Sequence, residues 1–370
     1  MKIGYDAKRI FHNSTGLGNY SRDLVRIMAT YYPENKYILY NPKKPSVNRL
    51  TLTGEMKVKQ PSGFFNRLFP SLWRSKFIIR DLVKDQIDVY HGLSAELPAG
   101  IEKTPVKSVV TIHDLIFKHF PELYKPIDRK IYYKKFLKAV KSADQIVAIS
   151  EQTKKDIIQL SGIDASKIKV IYQGCHEAFK KEYSQDFKQK VIKKYHLPQD
   201  FLLNVGTIEP RKNALNIVKA LQDSPEHLVL VGKKTAYAQR IKTFVQQHHM
   251  QDRIHFLEGL SLEELAVLYQ QAKIFIYPSI YEGFGIPIIE ALYSKTPVIT
   301  NKKGVFHEAA GPYSYYVDNV QNPEEIKAVI KQVLKSNPTE NVEKSWNFVQ
   351  KFNDKHIAEK WIDLYMTLKK

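Results

Sequence analysis

The run Ile274-Phe275-Ile276-Tyr277-Pro278-Ser279-Ile280-Tyr281-Glu282-Gly283-Phe284-Gly285-Ile286-Pro287-Ile288-Ile289-Glu290-Ala291-Leu292-Tyr293 sets the reading of the whole chain. Its first four residues are β-branched or aromatic, as expected of a strand. Pro278-Ser279 and two glycines then turn the chain, and Ile288–Tyr293 is apolar at helical spacing. Pro287 suits the first position of a helix, where no backbone N–H is needed. Another apolar run, Pro297–Thr300, follows. The unit reads as strand, glycine loop, helix, strand.

The same alternation extends in both directions. Strands are predicted at Lys2–Tyr5, Lys36–Tyr40, Ile87–Tyr90, Ser108–Ile112, Gln145–Ile149 and Lys169–Tyr172, then at Phe201–Val205, His227–Val231 and Arg253–Leu257. Helical patterns such as Glu263–Gln271 lie between them. Strands alternating with helices imply parallel sheets covered on both faces. The series pauses over Gly174–Gln199, a mostly polar stretch ending in Leu197-Pro198 that reads as a linker. The prediction is two doubly wound α/β domains, with a last helix near His356–Leu368 that suits either. Such sheets bind ligands at the carboxyl ends of their strands, and two facing domains would make a cleft there.

Four constellations fall at predicted strand ends. In the opening run, the helix start offers backbone N–H groups and a positive dipole end to an anion such as phosphate. Glu282 and Glu290 flank that point and can accept hydrogen bonds from hydroxyls on either side of it; helix-start carboxylates are also common without any ligand. Second, Gly206-Thr207-Ile208-Glu209-Pro210-Arg211-Lys212-Asn213 presents two adjacent cations after a strand. Arg supplies a fork of donors for phosphate oxygens and Lys a point charge. Third, Gly16-Leu17-Gly18 lies in a loop before a helix at Ser21–Tyr31. It lacks the third glycine of a dinucleotide fingerprint and the Gly-Lys-Ser/Thr of a P-loop. Fourth, the strand Ser108–Ile112 ends in His113-Asp114, where the aspartate is placed to orient the histidine. No Ser-His-Asp order, HExxH motif or clustered metal ligands stand out, so no metal site is expected.

Composition narrows the class. The chain has 370 residues with 57 Lys and Arg against 38 Asp and Glu, a net charge of +19. Residues 1–180 hold 31 cations against 17 anions (+14), and residues 181–370 hold 26 against 21 (+5). The first half is therefore expected to face something anionic. A hydrophobic share of 43% excludes a disordered chain. The single cysteine, Cys175, excludes an internal disulfide and reads as a small buried hydrophobe. No signal peptide or membrane-spanning run is visible, which points to a cytoplasmic protein, soluble or peripheral on the inner face of the membrane. Two segments suit the peripheral reading. Phe64–Arg80 interleaves aromatics with Arg and Lys, as interfacial segments do. Tyr124–Lys141 carries Lys and Arg beside Ile131, Phe136, Leu137 and Val140, a pattern shared with ordinary amphipathic helices.

Together, Glu282-x7-Glu290 with Gly-Phe-Gly-Ile-Pro, the Gly206 to Asn213 loop, Gly16-Leu17-Gly18 and His113-Asp114 resemble the family-four retaining glycosyltransferases. The resemblance implies a GT-B fold of two Rossmann-like domains facing a central cleft. Residues 1–176 plus 352–370 would form the acceptor-side domain, with the last helix crossing back, and residues 177–351 the nucleotide-sugar domain. It further implies that Arg211 and Lys212 bind the donor diphosphate, that Glu282 holds hydroxyls of the transferred sugar, and that Glu290 holds the ribose. Backbone groups of Gly206, Phe284, Gly285 and Ile286 would meet sugar and phosphate, with Gly16 and Gly18 closing on the phosphate. His113 would lie near the transferred sugar. Many members carry a basic residue where Thr207 stands; the Glu-Pro-Arg-Lys-Asn loop resembles a mannosyltransferase-like subgroup. The expected activity is metal-independent transfer of mannose from GDP-mannose, a substrate and not a cofactor, to a glycan or lipid-linked acceptor. A UDP-sugar donor, a GT-B phosphorylase or epimerase, and a basic nucleic-acid- or membrane-binding protein are the alternatives. No recognised nucleic-acid module appears, so no nucleic-acid partner is expected.

Overall fold

A computed structural model describes residues 1–369 and resolves into two compact units. One is Met1–Gln173 joined by the stretch that begins at Asn353; the other is Gly174–Phe352. The first holds β1 (Lys2–Asp6), β2 (Lys36–Tyr40), β3 (Met56–Lys59), β4 (Val89–Gly92), β5 (Lys107–Ile112), β6 (Gln145–Ala148) and β7 (Ile168–Val170), ordered β3-β2-β1-β4-β5-β6-β7. The second holds β8 (Leu202–Val205), β9 (Leu228–Val231), β10 (Ile254–Leu257), β11 (Ile274–Tyr277), β12 (Val298–Asn301) and β13 (Tyr315–Val317), ordered β10-β9-β8-β11-β12-β13. Every pairing is parallel. Central strands such as Leu-Val-Leu-Val of β9 and Ile-Phe-Ile-Tyr of β11 are buried along their whole length, which is why they read as unbroken apolar runs.

Each sheet reverses its winding once, between β1 and β4 and between β8 and β11. At such a reversal the connections leave neighbouring strands toward opposite faces, and a crevice opens at the carboxyl ends. The loops after β8 and β11 are the two that carry Arg211-Lys212 and Glu282.

Several sequence expectations need correction. β3 and β13 were not predicted. Both are edge strands: β3 reads Met-Lys-Val-Lys, with cations at alternate positions, and β13 has only three residues. Gly174–Gln199 is not a bare linker, because Ser184 caps a helix at Gln185–Lys194 by accepting the Phe187 N–H. The Gly16-Leu17-Gly18 stretch is not a loop but the first turn of a helix at Gly16–Tyr31. There a Cβ on Gly18 would collide with the Asn13 carbonyl, whereas Gly16 has nothing within 4 Å. Gly18 is thus required by close backbone packing, and Asn13 Oδ1 accepts its N–H at 3.1 Å.

Phe64–Arg80 also divides differently from expectation. Its beginning is exposed, but Trp73 is fully buried beside Tyr40, Ile78 and Leu82 and donates its indole N–H to Asp81 at 2.7 Å. Arg74 is buried too, paired with Asp6 and Glu96. Trp73 and Arg74 therefore anchor the segment and do not face outward. No described helix is long and apolar enough to cross a membrane.

The helix Asp354–Lys369 packs on the first sheet. Trp361, Ile362 and Tyr365 join the core of Ile3, Tyr5 and Val89. A buried polar chain fixes its register: the Tyr365 hydroxyl lies 2.8 Å from His91 Nδ1, and His91 Nε2 lies 2.8 Å from the Thr111 hydroxyl. Burial lowers the His91 pKa to about 3, so the ring is neutral.

Candidate functional site

The second unit assembles a charge cluster at its strand reversal. After β8 the chain passes Gly206, at φ +147°, and makes a 3-10 turn at Pro210–Lys212. Asn213 then sits in the left-handed region at φ 63° and starts the helix Ala214–Ala220, its side-chain amide donating to the Val320 carbonyl at 2.5 Å. After β11, Ile280 donates its N–H to the Arg211 carbonyl at 2.9 Å, stitching the two loops together.

That stitching brings Arg211, Lys212 and Glu282 to one point. Glu282 Oε1 lies 2.7 Å from Arg211 Nη1, 2.6 Å from Lys212 Nζ and 2.6 Å from the Ser279 hydroxyl that donates to it. Arg211 also pairs with Glu209 at 2.6 Å and donates to the Tyr281 carbonyl at 2.5 Å. Lys212 donates to the Tyr277 hydroxyl at 2.5 Å and stands over that ring. Burial raises the Glu282 pKa, but Lys212 and Arg211 outweigh it and hold the carboxyl below its ordinary value. Glu282 is therefore a carboxylate at neutral pH, with two cations and a hydroxyl converging on one oxygen.

The helix Ile286–Tyr293 begins at Gly285, whose φ of +110° strains any side chain. Pro287 occupies its first turn as the sequence suggested. Phe284 is buried against Phe352, ring centroids 5.4 Å apart, so its side chain belongs to the core. Ile286 is the first residue of the helix. Glu290 sits one turn in and accepts from the Tyr269 hydroxyl at 2.9 Å. Burial, only partly offset by that bond, raises its pKa to about 7.

In the first unit, His113 follows β5 and donates through Nε2 to the Leu93 carbonyl at 2.8 Å; that acceptor fixes the tautomer and leaves the lone pair on Nδ1. Its ring meets Tyr20 edge-on at 4.5 Å. Burial lowers its pKa to about 4, against the opposing pull of the Leu93 carbonyl. Asp114 does not orient it as expected: Asp114 accepts the Ile116 N–H instead. Cys175 is buried at 2% exposure.

Four members of the site were not singled out from sequence. Tyr277 closes β11 and Ser279 follows it, so position at a strand's carboxyl end marked both. Glu209 lay inside the quoted loop beside the cations. Tyr269, the partner of Glu290, comes from the preceding helix Leu262–Gln271, and no local pattern signals it.

Comparison with known proteins identifies the class of molecule. Residues 19–179 match Glycosyltransferase Family 4, and residues 185–349 match the Glycosyl transferases group 1. The chain belongs to these glycosyltransferases. It is 31% identical over 248 residues to the O-antigen chain mannosyltransferase RfbU of Salmonella typhimurium, covering 66% of this chain and 63% of that protein. It is 28% identical over 356 residues to the O-antigen chain mannosyltransferase B of Escherichia coli, covering 91% and 90%. The sucrose-phosphate synthase structure from Thermosynechococcus elongatus superposes with a TM-score of 0.80 at 20% identity, over 100% and 99% of the two chains, a likeness of fold. The GT-B architecture expected from the sequence is thereby established.

Proposed function

We propose that this glycosyltransferase moves mannose from GDP-mannose, with retention and without a metal ion, to a glycan or lipid-linked acceptor in cell-surface polysaccharide synthesis. One observation carries the reading: the Arg211–Glu282–Lys212 cluster at the reversal of the second sheet, inside the residues that match the group 1 family. The mannosyltransferase relatives support the sugar.

In this mechanism the donor diphosphate takes Arg211 and Lys212, exchanging part of their contact with Glu282 for phosphate oxygens. As the bond from the anomeric carbon to phosphate lengthens, negative charge grows on the diphosphate. Fixed cations and the helix start at Gly285-Ile286 stabilise it without reorganising. Protein cations thus supply the positive charge that a metal ion provides elsewhere. Glu282 accepts hydrogen bonds from the sugar's hydroxyls, and Glu290 from the ribose. Phe284 and Gly206 contribute backbone contact, and the first unit takes the acceptor, with Gly16 and Gly18 on the phosphate. His113, neutral and with Nδ1 as acceptor, receives a hydrogen bond from a sugar hydroxyl. We assign the basic first unit to an acceptor held at an anionic membrane.

A thermal-shift screen of GDP-, UDP- and ADP-sugars tests the donor. A bound donor raises the melting temperature by mass action. GDP-mannose is expected to give the largest rise. A larger rise with a UDP-sugar would replace it as donor, and no rise with any would refute the site.

A further inference from the structure

The first unit exposes an apolar projection that its own core does not use. Phe64 is 84% exposed, Phe65 53%, Leu68 59% and Phe69 47%, all within the short helix Phe64–Leu68 and the residue that follows it. Four neighbouring large apolar side chains left in water are costly, and contiguous patches of this kind mark interaction sites. The patch is also ordered. Phe65 packs on Phe69 and Phe77, with centroids 5.0 and 6.0 Å away. Behind it, Trp73 is locked by Asp81, and Arg74 by Asp6 and Glu96. The projection is a rigid wedge with its root in the core.

Its surroundings specify the partner. Arg67, Lys76 and Arg80 are exposed in the same segment, and Lys76 Nζ stands 5.9 Å from the centre of the Phe77 ring. Glu96, which holds Arg74 at the root, also pairs at 3.0 Å with Lys135 of the helix Pro126–Ser142. That helix exposes Ile127 and Ile131 beside Lys130 and Lys134. Exposed apolar side chains interleaved with exposed cations complement an anionic bilayer, whose acyl region takes the former and whose headgroups take the latter. A second copy of this chain would bring the same exposed cations against themselves, which charge repulsion opposes.

We infer that Phe64–Phe69 is a membrane wedge that inserts into anionic lipid while Trp73 and Arg74 hold it from behind. This deepens the proposal of an acceptor at a membrane and rests on that reading. The test is flotation of the full chain with phosphatidylcholine vesicles with and without phosphatidylglycerol. Phe64→Ser with Leu68→Ser should lower binding to the anionic vesicles about tenfold or more. Arg67→Glu with Arg80→Glu should lower it and abolish the preference for phosphatidylglycerol. Both pairs are exposed, so melting temperatures should stay at the wild-type value. Unchanged binding by the Phe64/Leu68 variant, or equal binding of wild type to neutral vesicles, would overturn the wedge. So would loss of self-association by that variant in light scattering, which would make a second copy the occupant. Donor-induced thermal shifts, measured on the same proteins without lipid, report on the transferase reading separately.

Discussion

Two buried arginines sit at the carboxyl ends of the two sheets, one in each unit, and the chain uses them differently. Arg74 reaches the end of β1 from the wedge's root. Its Nε bonds both oxygens of Asp6 at 2.9 and 3.0 Å, and its remaining nitrogens bond Asp6 and Glu96. The side chains of Arg74 and Asp6 are 10% and 5% exposed, so the fork is saturated by carboxylates out of water. Arg211 is equally buried at 10% and also holds Glu209 and the Tyr281 carbonyl, but it shares its Glu282 oxygen with a second cation, Lys212. Two cations there converge on one Glu282 oxygen, and in the mechanism proposed above an incoming diphosphate supplies further acceptors. One cation held by two carboxylates makes the first site a clamp; two cations sharing one carboxylate oxygen are what we propose as the receptor.

This contrast predicts opposite phenotypes. Arg211→Ala should lower kcat/KM by about a hundredfold or more, since it removes a fixed cation from the developing charge, with little change in melting temperature. Glu282→Ala should behave likewise. Arg74→Met should instead cost about 3 kcal/mol or more of stability, because Asp6 is left buried and unpaired. Steady-state kinetics and denaturant unfolding on the same variants check both, and equal effects on both quantities at the two sites would erase the distinction.

A smaller effect is expected at Glu290. Its pKa of about 7 lies above the ordinary carboxylate value, so the folded protein keeps a proton that the unfolded chain has lost. This group's contribution is fully present below the unfolded pKa and is lost as pH rises through about 7. Glu290→Gln should therefore flatten the fall in melting temperature between pH 5 and 8. It should also remove the rise in donor affinity over that interval, because only the ionised carboxyl is a full acceptor for ribose hydroxyls. A pH profile unchanged in the variant would assign the titration elsewhere.

How much of this was legible depended on whether the signal was local. The buried central strands were visible as apolar runs, and position at strand ends marked Arg211, Lys212 and Glu282, which the fold brings together. Edge strands β3 and β13 were invisible, because an edge needs no unbroken apolar run. Trp73 and Arg74 misled because composition shows that a residue is aromatic or basic and not which way it points; Asp6, Glu96 and Asp81, distant or on another element, decide that. Asp114 beside His113 looked like an orienting partner, yet the carbonyl of Leu93 takes that role, and a backbone acceptor leaves no mark in sequence. Gly18 drew attention as a phosphate contact; its close approach to the Asn13 carbonyl is a second demand for glycine there, and it leaves no mark in the sequence.

The central claim is sugar transfer at the Arg211–Glu282–Lys212 cluster. The most direct measurement is product analysis after incubating GDP-mannose labelled at the anomeric carbon with a lipid-linked glycan acceptor. The account predicts a new glycoside with the donor's anomeric configuration, and its loss with Arg211→Ala. Labelled sugar phosphate or an altered nucleotide sugar in place of a glycoside, or full transfer by the Arg211 variant, would contradict it.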